Sequence, residues 1–144
     1  RESTIQRMVK LGCEIGNHTW DHPEQTLPNM DLDSVMQEFQ KTDDALVKAC
    51  GQASTVCRAP YGAITDEQMS AVGKPFFMWS TDSLDWKLQN TERIVRQGEK
   101  DVKSGDIILM HDIFKTSVEA ALRIVDDLQK RGYEFVTVEE LLVD

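Results

Sequence analysis

Apolar residues along the chain follow two alternating rhythms, a spacing of three and four residues in the longer stretches and short unbroken runs between them. Residues 3–11 carry a helical pattern that stops at Gly12, and 13–16 predict a short strand running into the histidines that follow. A long helix is predicted at about 31–50. Leu32, Val35, Met36, Phe39, Leu46 and Ala49 fall on one stripe, and Gly51 suits the left-handed position after a helix. Residues 54–58 (STVCR) predict a strand, 65–72 a short helix, 76–80 (FFMWS) a buried strand, and 91–103 a helix leading to Gly105. The run DIILMH, 106–111, is strongly β-prone. Thr116 and Glu119 have capping-box spacing for a helix over 117–131, whose apolar face is Val118, Ala121, Leu122, Val125 and Leu128. Gly132 ends that helix, and 134–137 (EFVT) predict a last strand.

Helix alternating with strand implies βα units and a parallel sheet in an α/β fold, and the absence of linkers or repeats implies one domain over 1–144. Chemistry in such folds gathers at the carboxyl ends of strands. His18, Arg58, Asp82 with Asp85, and His111 each fall at or just after the end of a predicted strand.

Composition narrows the partners. The net charge is −9, from 16 basic and 25 acidic residues, and it is spread along the chain. Such a surface disfavours nucleic-acid phosphates and anionic membranes, and leaves neutral or cationic ligands open. No apolar run approaches the ~20 residues of a membrane span. The chain begins at Arg1 rather than a methionine, so its true start is expected upstream. Cys13, Cys50 and Cys57 form no CxxC pair. Cys50 and Cys57 either close a short disulfide, as an extracellular setting allows, or all three are buried free thiols.

Four polar clusters carry the candidate chemistry, and each has a plainer reading. HTWDH, 18–22, places two histidines four apart, but Thr19 stands where a zinc protease has its glutamate, and Pro23 disfavours a helix at His22. The pair is either two metal ligands on a turn or two ordinary surface histidines. CRAPYG, 57–62, sets an arginine at a strand end before a rigid turn. WSTDSLDWK, 79–87, offers Asp82, Asp85 and the flat wall of Trp86, with turn capping and core packing as the alternatives. LMHD, 109–112, ends a buried strand on His111, either a structural histidine or a proton donor.

Taken in order, the four clusters resemble the polysaccharide deacetylase family, carbohydrate esterase family 4 with its NodB-homology domain. The family's H-[ST]-x-x-H motif is matched by His18-Thr19-Trp20-Asp21-His22, and its R-x-P-[YF]-G motif by Arg58-Ala59-Pro60-Tyr61-Gly62. Its aspartate-tryptophan pair is matched by Asp85-Trp86, and its L-x-H motif by Leu109-Met110-His111. The resemblance implies a distorted (β/α) barrel of parallel strands. It makes His18 and His22 ligands of a divalent metal, most often zinc, with cobalt or nickel as substitutes. Arg58 would position the base, the Tyr61 N–H would help hold the oxyanion, and His111 would protonate the leaving amine with Asp85 keeping it charged. Trp86 and Leu109 would line the acetyl-methyl pocket.

One motif is missing. The family's T-F-D-D-G supplies the base and the third metal ligand, yet the only acids before His18 are Glu2 and Glu14. The chain therefore resembles the C-terminal three-quarters of such a domain. Three accounts fit: a domain nicked before residue 1 with its N-terminal fragment retained as a companion chain, a part of a longer polypeptide, or a truncated inactive relative. The first is favoured, because exposed loops are where nicking concentrates. The implied activity is removal of N-acetyl groups from N-acetylglucosamine units of a bacterial cell-wall polysaccharide, with peptidoglycan ahead of chitin oligomers and acetylated xylan. The implied location is extracellular or at the cell surface. A non-catalytic carbohydrate-binding relative is the competing reading.

Overall fold

A computed structural model describes residues 1–141. The chain is α/β, and its strand pairing is parallel throughout the described residues. The described residues divide into two compact units, 1–78 with 137–141, and 79–136.

In the first unit, α1 (Glu2–Lys10) precedes the long α2 (Leu32–Cys50), with α3 (Asp66–Val72) beyond it. Asp31 caps α2 by accepting the Ser34 N–H at 2.9 Å, and Gly51 follows the helix at φ 82°, a conformation glycine adopts without a Cβ penalty. Val35, Phe39, Leu46 and Ala49 are buried, as the stripe predicted, and Glu38 is buried among them. Residues Leu27, Val35, Phe39, Cys57 and Ala59 form the core, with Phe76 edge-on to Phe39 at 5.5 Å between ring centroids. The strands predicted at 13–16, 54–58 and 76–80 shrink to two parallel bridges, Asn17 to Cys57 and Cys57 to Phe76. Cys57 is therefore the middle rung, and burial pushes its thiol up to about 11. All three cysteines are free: Cys57 is buried, Cys13 exposed, and the half-buried Cys50 thiol donates to the Leu46 carbonyl at 3.2 Å rather than bridging to Cys57.

The second unit contains β1 (Thr81–Asp82), α4 (Asp85–Leu88), α5 (Thr91–Gly98), β2 (Ile108–Leu109) and α6 (Lys115–Lys130). β1 and β2 pair in parallel, Thr81 opposite Ile108 and Asp82 opposite Leu109. Ile94, Val95, Ala120, Ile124 and Leu128 make its core. Four expectations need correction here. The helix predicted over 91–103 ends at Gly98, and that glycine packs against Ile124, to which a Cβ would come within 2.8 Å. The helix predicted to be capped by Thr116 and Glu119 starts two residues earlier, at Lys115, after Phe114 with no side-chain cap. Reciprocal capping pairs lie instead at Thr65 with Gln68 and at Thr137 with Glu140. The buried face of α6 is Ser117, Ala120, Ile124 and Leu128, so Val118 and Leu122 face outward.

The chain returns to the first unit in α7 (Val138–Leu141). The strand expected at 134–137 is absent: Phe135 and Val136 are exposed, and no described backbone pairs with them.

Candidate functional site

The first cluster grows from the bridge that ends at Asn17. The Asn17 amide donates to the Val56 carbonyl at 2.9 Å, and Arg58 N–H returns a bond to the Asn17 carbonyl at 2.9 Å. This ties the segment before His18 to the segment carrying Arg58. The Asn17 side chain is buried; its Nδ2 donates to the Phe39 carbonyl at 2.9 Å and to Asp43 Oδ1 at 3.1 Å. Asp43 also receives Ser54 and pairs with Lys74. Burial would raise its pKa, but these hydrogen bonds prevail and hold it below the ordinary carboxylate value.

Residues 18–22 leave Asn17 as a turn, not a helix. Thr19 and His22 have φ of 69° and 49°. The His18 ring nitrogen Nδ1 lies 2.7 Å from the Arg58 carbonyl. A carbonyl can only accept, so Nδ1 donates to it, a bond of the kind that orients metal-binding imidazoles. The His18 and His22 rings lie 5.0 Å apart, and Tyr61 sits edge-on to His22 at 4.9 Å. Both histidines are exposed, as an open ligand site requires.

Tyr61 occupies a 3-10 turn, Pro60–Gly62, at φ 57°, a left-handed conformation unusual for a bulky residue. Its ring is exposed. Arg58 is half-buried; Nε donates to the Phe77 carbonyl at 3.4 Å, and burial lowers the guanidinium pKa. Two imidazoles fit two corners of a divalent-metal site. Among the described residues no set of three histidine, cysteine, aspartate or glutamate side chains converges, so the third corner is not filled by them.

The second cluster lies in the second unit. Asp85 opens α4 and is fully buried, while Trp86 beside it is about half exposed. The Asp85 carboxylate accepts His111 Nδ1 at 2.8 Å, the His111 backbone N–H at 2.7 Å and the Trp86 N–H at 2.9 Å. Burial would raise its pKa, but the bonds from His111 prevail and keep it below its ordinary value. Because the carboxylate only accepts, His111 donates through Nδ1 and presents Nε2 as its exchangeable position. Leu109, in β2, is buried, and its carbonyl accepts the Ser83 hydroxyl at 2.7 Å. Asp82 takes the plainer of its two readings and caps the turn, accepting the Leu84 N–H at 2.9 Å.

The structure thus brings together His18, His22, Arg58 and Tyr61 in one unit, and Asp85 and His111 in the other. Sequence reasoning missed Asn17 and Glu38, which hold the turn at 18–22. The available signal was a glutamate on the apolar stripe of α2, since charged side chains are rarely buried without partners.

A family model described as polysaccharide deacetylase matches residues 1–74. The chain is 38% identical over 138 residues to the Bacillus subtilis peptidoglycan-N-acetylmuramic acid deacetylase PdaC, spanning 96% of this chain and 29% of that protein. It is 34% identical to the Listeria monocytogenes peptidoglycan-N-acetylglucosamine deacetylase PgdA, spanning 95% of this chain and 29% of that one. The solved structure of PdaC carrying D285S superimposes with a TM-score of 0.93 at 37% identity, covering 96% of this chain and 68% of that one. A structure titled as a CE4-family pseudoenzyme from Bacillus anthracis, BA3943, superimposes with a TM-score of 0.87 at 25% identity over 98% of this chain and 50% of that one. The chain therefore spans under a third of the length of these curated relatives and about two thirds of the PdaC structure.

Proposed function

The chain belongs to the polysaccharide deacetylase family, and on that premise we propose that it is the larger part of the catalytic domain of a metal-dependent hydrolase that removes N-acetyl groups from bacterial peptidoglycan outside the cytoplasm. The observation that carries this reading is the turn at 18–22. It presents two imidazoles 5.0 Å apart, with the His18 ring oriented by the bond from Nδ1 to the Arg58 carbonyl. His18 and His22 would hold a divalent ion, zinc first and cobalt or nickel in its place. When bound, such an ion polarises the acetyl carbonyl and lowers the pKa of water. The third ligand and the base, an aspartate pair by the family resemblance, are absent from residues 1–17 and would come from a companion segment of the same barrel.

The remaining steps fall to this chain's own residues. Arg58 would orient the base, and the Tyr61 N–H would donate to the oxyanion. His111 would deliver a proton from Nε2 to the departing amine, while the buried Asp85 carboxylate stabilises the imidazolium and fixes its ring through Nδ1. Trp86 and Leu109 would bound the acetyl methyl. The N-acetylglucosamine unit is the expected target. PdaC is named for N-acetylmuramic acid and PgdA for N-acetylglucosamine, so product analysis has to separate the two sugars.

The test is acetate release from peptidoglycan and from chitin oligomers by zinc-loaded protein that includes the segment supplying the aspartates. Release is expected, with His111→Ala lowering kcat by about 100-fold or more. No release from either polymer would remove the reading. The incomplete ligand set among the described residues favours one alternative, a non-catalytic carbohydrate-binding relative. That alternative predicts saccharide binding with neither stoichiometric zinc nor acetate release.

A further inference from the structure

We propose that Glu38 is a positioning residue for the metal site: from α2 it fixes the shape of the turn that carries both histidines. The inference rests on the proposed metal-binding role of His18 and His22.

One carboxylate oxygen does the holding. Glu38 Oε2 accepts the Trp20 N–H at 3.0 Å and the Asp21 N–H at 2.9 Å, the two amides at the middle of the HTWDH turn. The flanking amides are also bound by side chains: Thr19 N–H donates to Asn17 Oδ1 at 3.0 Å, and His22 N–H donates to Thr19 Oγ1 at 3.2 Å. Four successive backbone donors, 19 to 22, thus end on side-chain oxygens. A turn held this way takes its shape from those oxygens. The shape is demanding, since Thr19 and His22 both adopt positive φ, a region that residues with a Cβ keep only when their surroundings enforce it.

The bonds from Asn17 and Thr19 are local. Glu38 comes from 17 and 18 residues away, on a helix whose buried face is set in the core. The same helix also receives the Asn17 side chain, at the Phe39 carbonyl and at Asp43. α2 therefore grips the turn at its start and at its middle, and Glu38 makes the contact lying between the two histidines. Glu38 is buried, so its bonds to the two amides are shielded from competing water. Without that acceptor the Trp20 and Asp21 amides would turn toward water, and the spacing of the two rings would loosen.

The experiment compares wild type with Glu38→Gln, which keeps an acceptor oxygen at the same reach, and Glu38→Leu, which removes it. Zinc affinity is measured, on protein that includes the segment supplying the aspartates, by competition with a chromophoric chelator. Amide hydrogen exchange over 17–22 is followed in the metal-free protein. Glu38→Leu is expected to weaken zinc binding by about tenfold or more and to speed exchange across the turn; Glu38→Gln is expected to stay within about threefold of wild type. Unchanged affinity and exchange in Glu38→Leu would overturn the proposal. So would equal zinc losses in both variants with exchange unchanged in Glu38→Gln, because charge rather than positioning would then be at work. If Glu38→Leu does not fold, Glu38→Asp decides: it keeps the charge but withdraws the oxygen by one methylene, and wild-type affinity and exchange there would overturn the proposal. If wild type itself takes up no zinc, the metal reading fails, and the exchange measurement alone decides whether Glu38 holds the turn.

Discussion

Asp85 concentrates the acid–base side of the proposed chemistry in one buried carboxylate, which accepts three N–H groups from His111 and Trp86. Its folded-state pKa lies below the ordinary 3.8. The unfolded state therefore binds its proton first as pH falls. The stability that Asp85 contributes is complete above about pH 5 and is lost as pH drops below 3.8 and through the folded value. Asp85→Asn is expected to cost about 1–3 kcal/mol at pH 7 by denaturant unfolding. That difference from wild type should shrink as pH approaches 2; a difference independent of pH would show that the charge of Asp85 is not what stabilises it. At this scale much was legible. The pairing of an aspartate with His111 follows from the family motifs, whereas the assignment of Asp82 to a turn required seeing the Leu84 N–H point at it. Glu38 escaped notice because a glutamate in a helix is ordinarily solvated, and only the return of the 18–22 turn onto α2 supplies its partners.

Packing between elements decided which face of each is buried. α5 and α6 meet at Gly98, where an added Cβ would lie 2.8 Å from Ile124 Cδ1. Gly98→Ala is expected to fall short of the about 1 kcal/mol that replacing a helical glycine by alanine ordinarily adds, because Ile124 Cδ1 must shift, and Ile124→Val in the same chain should reduce that shortfall. Strictly additive effects in thermal or denaturant unfolding would refute the contact. Helical periodicity located α2, α3 and α6 because one face of each meets a core. It misplaced the face of α6 because Ser117 and Ala120 are weakly apolar yet buried, while Val118 and Leu122 are strongly apolar yet exposed. Strand lengths were overestimated because β-propensity measures fit to a pleated, partly buried surface and does not supply a neighbour. Residues 134–137 have the propensity and pair with no described backbone.

For the molecule as a whole, charge is the property that predicts most. A chain of net charge −9 repels anions and attracts polycations, among them the polyamine that the proposed deacetylation would produce. Binding of a fully deacetylated glucosamine oligomer is expected to weaken about tenfold between roughly 0.01 M and 0.5 M salt, while binding of the N-acetylated oligomer changes less than about twofold. Calorimetric titration at the two ionic strengths checks this, and equal salt sensitivity would show that net charge does not steer the product. The sequence by itself determined the α/β class, the order of the four polar clusters and the likeness to deacetylases. These rest on residue type and spacing, which the chain carries without folding. Tertiary structure decided which ring nitrogen of His18 bonds to the Arg58 carbonyl, that Asp82 caps a turn and which glutamate braces the histidine turn. The first and third depend on groups that come within hydrogen-bond reach only when distant segments pack, and the directionality of a hydrogen bond is not written in spacing.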